Sequence, residues 1–475
     1  MILRDYQLDV VSQVSKALRS HDGVLVVLST GGGKSPIMCH MVHKCYLAGK
    51  QILNLCHKET ILNQLSATMA EFGTEHGRTI AGKPTCKDQV SVGMIQTIKN
   101  RLDDIPVPDF IFADEQHRSS KSNTFGQVIA YFREKNPKVK LVGFTASPSR
   151  TDGEGLRANY NYMVVGISGK ELVKRGYLSP VRYLCPLDSV KFKRKNGDYD
   201  PEDQEKYFND GRIIGDVMKY HAEEVGVKPC LVACCSLKHA DHMRDRFRAA
   251  GYTAEAVRGG KKHQAHLFET LKRLETGDLS VCCFVDVLSE GVSVNNIQAI
   301  LFLRKTSSLI YYLQVIGRGV RFQEGKTCVV IDFVSNYFEH GHPFMDRSWS
   351  LEDMEKSKTV DRIETTRCLY CFGVFEGLPS TCPRCGADLK FQRACEAAEM
   401  KIKEVDGVLV EISYDYQIIC KRLISIPKKQ SRMKYFKKMI HENGPTDEIY
   451  KINKLLGYKR GFVAATAKHG TGKAE

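Results

Sequence analysis

The chain has 475 residues, enough for two or three domains that each bury a core of their own, and too many for one ordinary core. Its 70 Lys and Arg against 55 Asp and Glu leave a net charge of +15, which suits a polyanionic partner such as nucleic acid and equally suits a merely solvated basic surface. No apolar run approaches the roughly 20 residues that span a bilayer. The N-terminus carries no secretory cleavage pattern, and 17 cysteines scattered through core-like segments suit a reducing compartment. The expectation is a cytoplasmic protein without a membrane partner.

In chain order, LRDYQ leads into the amphipathic stretch DVVSQVSKALRS, and the β-branched run VLVVL then predicts a strand. LSTGGGKS follows at once, before an apolar helix, IMCHMVHKCYLAG, which is the context a phosphate-cradling loop requires. Thr30, Gly31, Gly32 and Gly33 would let backbone N–H groups approach phosphates; Lys34 is suited to the β and γ phosphates of ATP, and Ser35 to Mg²⁺. Leu28 stands where the strict eight-residue pattern has glycine, so an ordinary glycine-rich turn is the alternative.

QILNL, QVSVGM, DFIFAD and VKLVGFT alternate with amphipathic stretches such as TILNQLSATMAEF through about residue 150, which predicts a parallel sheet covered by helices. DFIFAD ends on two adjacent carboxylates. Asp114 can hold Mg²⁺ through water while Glu115 polarises an attacking water, the division of labour that phosphoryl transfer asks of a carboxylate pair. A solvated strand end is the alternative.

After a charged, aromatic segment (KFKRKNGDYDPEDQEKYFND) the alternation resumes with CLVACC, TAEAV, VCCFV, AILFLR and CVVIDF, a second α/β domain running to about residue 340. Near its end, QVIGRGVR flanks Arg318 with Gly317 and Gly319, which a plain solvated helix would not favour. Two C-x2-C pairs follow, Cys368, Cys371, Cys382 and Cys385, a spacing suited to a tetrahedral Zn²⁺ site, with redox pairs as the alternative. The last 56 residues, from Cys420, hold 14 Lys and Arg against 4 Asp and Glu.

Together these residues resemble the superfamily-two helicases of the DExH type over roughly residues 1 to 340. Asp114-Glu115-Gln116-His117 matches motif II of that family, and Thr145-Ala146-Ser147 matches motif III. LRDYQ resembles its adenine-reading segment, which implies that Gln7 meets the adenine edge and that Arg4 lies near the base. QVIGRGVR resembles motif VI, which implies that Gln314, Arg318 and Arg321 reach the triphosphate from the second domain, where an arginine is worth about 10³ to 10⁵ in rate. The resemblance makes His117, Thr145, Ser147, Glu290 and Gly291 coupling residues, with His117 linking the acids to Gln314; Ser293 departs from the family's Asp in motif V. Strand contacts are implied at His57 and Lys58, at Gln96 and Thr97, and at Ser236, Arg258 and Gly259.

The implied architecture is α/β, with two tandem RecA-like parallel-sheet domains, a zinc ribbon and a basic C-terminal segment. The expected boundaries are 1–160 for the first domain, 161–220 for a linker and the start of the second lobe, 221–345 for the second domain, 360–390 for the ribbon and 391–475 for the tail. A narrower resemblance, resting on LSTGGGKS, DEQH, QVIGRGVR, IDFVSN and the four cysteines, is to RadD-type bacterial DNA-repair helicases and their phage relatives. It implies a bacterial cell or phage-infected host, and DNA (single-stranded, duplex or branched) as partner, with contact to single-strand-binding protein.

The expected activity is an ATP-dependent DNA helicase or translocase serving repair, recombination or replication. An RNA helicase and a DNA-locked ATP-binding module are the alternatives. Metal analysis of protein purified under reducing conditions is expected to find about one zinc per chain; its absence would retire the ribbon.

Overall fold

The computed structural model describes residues 1–353, apart from 121, 149–152, 187–189, 210 and 289–293, together with 365–367, 374–376, 380–381 and 409–412. The side chains of residues 186, 211–215, 261, 365–367, 374–376 and 409–412 are outside this description. Glu290, Gly291, Ser293, all four C-x2-C cysteines and the basic tail lie outside the described residues. The chain divides into two compact units, one of residues 1–356 with 408–411, the other of residues 357–407 and 412–475.

The first unit holds two parallel sheets. Its strands are β1 (Gly23–Val27), β2 (Ile52–Cys56), β3 (Gly77–Thr79), β4 (Val90–Met94), β5 (Phe110–Ala113), β6 (Lys140–Thr145) and β7 (Tyr162–Val165), ordered β3-β4-β2-β5-β6-β1-β7. β1 and β2 are buried at every residue, as strands covered on both faces must be. The covering helices are α1 (Asp5–Ala17), α2 (Lys34–Leu47), α3 (Glu59–Glu71), α4 (Ile95–Lys99) and α5 (Thr124–Lys135). Val10, Ile37, Met38, Leu62 and Leu65 of α1 to α3 pack with Val24, Val26 and Phe112 on one face; Ile98, Val128 and Phe132 of α4 and α5 pack with Leu25, Leu53 and Ile111 on the other.

The second sheet combines β8 (Val181–Pro186) with β11 (Cys230–Cys234), β12 (Ala254–Ala256), β13 (Val281–Phe284), β14 (Ala299–Leu303) and β15 (Cys328–Asp332), in the order β12-β13-β11-β14-β15-β8, with β18 (Leu409–Ile412) at the edge. A short ladder of β9 (Arg194–Lys195) and β10 (Asp198–Tyr199) stands apart. Helices α6 (Gly169–Lys174), α7 (Pro201–Phe208), α8 (Gly211–Glu224), α9 (Leu237–Ala249), α10 (Gln264–Thr276) and α11 (Leu309–Gly319) complete the lobe and its approach. Ser236 and Ser308 accept hydrogen bonds from His239 N and Tyr311 N and so cap α9 and α11.

The segment expected to be a linker and the start of the second lobe contributes to both sheets, since β7 pairs with β1 and β8 pairs with β15. The first sheet therefore extends past residue 160. In the second unit, β16 (Thr365–Arg367) and β17 (Val374–Glu376) pair antiparallel.

Residues 341–353 form a strap between the two lobes. Arg347 gathers the carbonyls of His340, His342, Pro343 and Met345, which pins the start of the strap to the second lobe. Its far end reaches the first lobe, where Leu351 O accepts from Leu156 N at 2.8 Å and Arg157 N at 3.0 Å, and the Leu351 side chain joins the core beneath β6.

His221 on α8 is fully buried between the rings of Phe247 (centroids 4.8 Å apart) and Tyr252 (4.6 Å), and neither of its nitrogens has a hydrogen-bond partner among the described residues. Burial pushes its pKa down to about 4. Between about pH 6.5, where it titrates unfolded, and pH 4, only the unfolded chain takes up that proton, so stability falls as pH drops through this window. His239 and His342 are also pushed down to about 4 by burial and add to the slope. His221→Leu is expected to flatten the decline of the unfolding midpoint between pH 6.5 and 4 by about one proton's worth; a wild-type slope in the variant would contradict this.

Candidate functional site

The carboxyl ends of β5, β6 and β1 lie side by side, because β6 is hydrogen-bonded to both of the others. This is where parallel α/β sheets bind ligands, and the chain puts its glycine-rich loop, its acid pair and Thr145 there. Gly31 and Gly33 hold φ of 81° and 80°, left-handed values that glycine adopts without penalty. Gly33 caps α2, whose first two residues are Lys34 and Ser35, both half-buried.

A side chain at Gly33 would come within 2.3 Å of Gln7 Nε2. Gln7 is itself held: its Oε1 accepts from Arg4 N at 2.9 Å, closing the first turn of α1 and leaving its amide N–H₂ beside the loop. Tyr6 donates to Gly32 O at 3.0 Å. Arg4 lies 4.3 Å over the ring of Tyr177, which packs 5.2 Å from Tyr6. Tyr177, from the segment after α6, thus joins the group around Arg4 and Gln7; nothing in the chain order of LRDYQ signals it.

Asp114 is buried and accepts from Glu115 N at 2.9 Å. Glu115 is held left-handed at φ 50°, ψ 49°, a conformation that costs a non-glycine residue about 1–3 kcal/mol. His117 Nδ1 lies 3.2 Å from Glu115 Oε2 and 3.3 Å from Thr145 Oγ1. Thr145 donates to Ser147 O at 2.7 Å, so toward His117 it accepts, and Nδ1 carries the proton. His117 therefore ties the acid pair to Thr145 and Ser147 inside the first lobe.

A further residue, Tyr160, sits fully buried beneath β6 and donates to Gln116 Oε1 at 2.7 Å, while Gln116 Nε2 donates to Asp114 O at 3.1 Å. Burial, aided by the Asp114 charge, holds the thiols of Cys39 and Cys56 well above the usual range, so both are neutral beside the acid.

The second lobe meets this site through α11. A Cβ at Gly317 would fall 1.9 Å from Thr30 Cγ2, and one at Gly319 would fall 2.4 Å from Cys328 Sγ. The first glycine thus admits the loop and the second lets α11 lie on its own sheet. Gln314 is buried, Arg318 half-buried between the two glycines, and Arg321 donates to Asn295 Oδ1 at 2.9 Å. Thr30 Oγ1 is buried without a hydrogen-bond partner among the described residues. The glycine cradle, the buried carboxylate and this orphaned hydroxyl fit a Mg²⁺-bound triphosphate.

A second opening, of about 660 Å³, lies where the carboxyl ends of β2 and β4 face those of β12 and β13. His57, Lys58, Arg258 and Gly259 line it. Gln96 and Thr97, on α4, are not among its lining residues, and Gln96 donates to Thr124 Oγ1 at 3.2 Å. Ser236 is occupied as the cap of α9 and donates to a Glu205 carboxylate oxygen.

Residues 1–150 match the family model for the Type III restriction enzyme, res subunit, and residues 214–323 match the Helicase conserved C-terminal domain. The chain is 27% identical over 391 residues to a 51.5 kDa protein of Lactococcus phage (isolate 7-9), covering 80% of this chain and 82% of the other. It is 25% identical over 356 residues to the "Putative ATP-dependent helicase IRC3" of Saccharomyces cerevisiae, covering 70% of this chain but about half (51%) of the yeast protein. The fragment structure of a "putative HsdR subunit of a type I restriction enzyme" from Vibrio vulnificus YJ016 shares the fold, with a TM-score of 0.57 at 20% identity over 74% of this chain and 68% of that one.

Gly317→Ala is expected to lower ATP turnover by about tenfold or more through the clash at Thr30, and Thr30→Ser, which removes the clashing methyl, to restore part of it in the double variant. Unchanged turnover in Gly317→Ala would show that the close approach is dispensable.

Proposed function

The chain belongs to the superfamily-two helicases, and on that basis we propose that it is a DNA-dependent ATPase that moves along or remodels DNA. The observation that carries the reading is the meeting of the phosphate loop, the acid pair and α11 at one place, with Thr30 packed on Gly317.

In this mechanism Lys34 and the loop amides hold the β and γ phosphates, with Ser35 and Asp114 as the Mg²⁺ holders. Mg²⁺, when bound, neutralises phosphate charge. Glu115 takes the proton of the attacking water, and its strained backbone keeps the carboxylate at its station beside His117. Arg318 and Arg321 stabilise the charge on the transferred phosphoryl group from the other lobe; Arg321 must exchange Asn295 for phosphate. Gln7 and Arg4 read the base, with Tyr177 beside them. Opening and closing at the Gly317 contact would pass to the strand groove, where His57, Lys58, Arg258 and Gly259 hold phosphates. Gln96, Thr97 and Ser236 are proposed as flanking contacts, and Glu290 and Gly291 as coupling residues.

DNA is preferred over RNA because of the RadD-like motif set and the restriction-enzyme family model; repair, recombination or replication and contact with single-strand-binding protein belong to the same reading. Zn²⁺ on Cys368, Cys371, Cys382 and Cys385 is supported by the donor set and by the antiparallel pairing of β16 with β17, which the first C-x2-C connects in sequence.

ATP turnover should rise on adding single-stranded or forked DNA, and Glu115→Gln should cut it by about 10²-fold or more. Stimulation by RNA alone would favour the RNA-helicase reading, and turnover that neither nucleic acid nor the substitution alters would leave an ATP-binding module.

A further inference from the structure

The groove that holds Lys58 and Arg258 also presents apolar surface. Two large side chains stand half-open on its second-lobe wall: Leu237, 49% exposed at the start of α9, and Phe268, 48% exposed on α10. Gln264, Leu267 and Phe268 all line the groove, and their spacing puts them on one face of α10. Leu267 is 7% exposed and anchored in the core, so Phe268 next to it is presented by a packed helix, a more rigid support than a loop.

The charges around the ring are mixed, and their pairing matters. Asp286 accepts from Arg304 at 2.6 Å, and Arg258 donates to Asp241, itself bridged to Arg244 at 3.0 Å. Lys58 stands on the opposite wall, on the first lobe. A nucleic-acid strand needs cations for its phosphates and flat apolar faces for its bases, and base–aromatic stacking tolerates any sequence. The groove has both on facing walls.

We propose that Phe268 is a stacking platform for a nucleobase of a single strand seated in this groove, with the phosphates passing Lys58 and Arg258. Bases inside a duplex have both faces covered, so the ring selects unpaired or locally opened strands. The inference rests on the reading of the groove as a nucleic-acid channel and adds to it the class of strand.

The test uses the full chain without nucleotide and three fluorescent probes: a single-stranded oligonucleotide, the same oligonucleotide with consecutive abasic sites, and a blunt duplex. Wild type should bind the normal strand about 5- to 150-fold more tightly than the abasic one. Phe268→Ala should bind the two alike, Phe268→Trp should regain the preference, and neither substitution should change duplex affinity. The inference is overturned if wild type shows no abasic penalty, if Phe268→Ala keeps the full preference, or if Phe268→Ala weakens duplex binding by the same factor as single-strand binding. Failure of wild type to bind any of the three probes would overturn both this inference and the channel reading beneath it.

Discussion

Two lobes can share one phosphate site only if nothing stands between the loop of one and the helix of the other, and here that space exists because residue 317 has no side chain. The methyl of Thr30 occupies the position a Cβ would need. Packed interiors do not compress to admit a missing ångström, so the identity of one backbone position decides whether α11 can bring Arg318 to the loop. Gly319, two residues on, solves a separate problem, seating the same helix on Cys328 and Ile300 of its own sheet.

From that contact the structure runs inward through buried polar groups. His117 joins Glu115 to Thr145, Gln116 joins Asp114 to Tyr160, and the segment bearing Tyr160 begins where Leu156 and Arg157 bond to the strap. The strap in turn is held to the second lobe by Arg347. Among the described residues, the ties at the phosphate loop and through Leu351 both end on the β6 side of the acid pair. In a buried network of this kind each unsatisfied group costs about 1–3 kcal/mol, which favours a few discrete arrangements over gradual displacement.

Much of this was legible in the chain. The strands VLVVL, DFIFAD, CLVACC and CVVIDF are unbroken β-branched or apolar runs, and burial on both faces leaves them no other pattern. The phosphate loop and acids are contiguous words, so their chemistry survives without the fold. The parts that stayed hidden depend on tertiary encounters. β7 is short and half-exposed, so the segment between the domains resembles a linker leading into the second lobe although the first sheet also takes a strand from it. Tyr160 and Tyr177 lie far in sequence from the groups they touch and carry no local signal. Ser236 carries a second role that its place before a helix announces: it caps α9.

The central claim is that one triphosphate is held from both lobes. The most direct measurement is a crystal structure with Mg²⁺ and a non-hydrolysable ATP analogue. The account predicts the phosphates on the loop at Gly31 to Lys34 and a guanidinium of Arg318 or Arg321 within about 3 Å of a phosphate oxygen. Phosphates bound there with both guanidinium groups turned to solvent would contradict it.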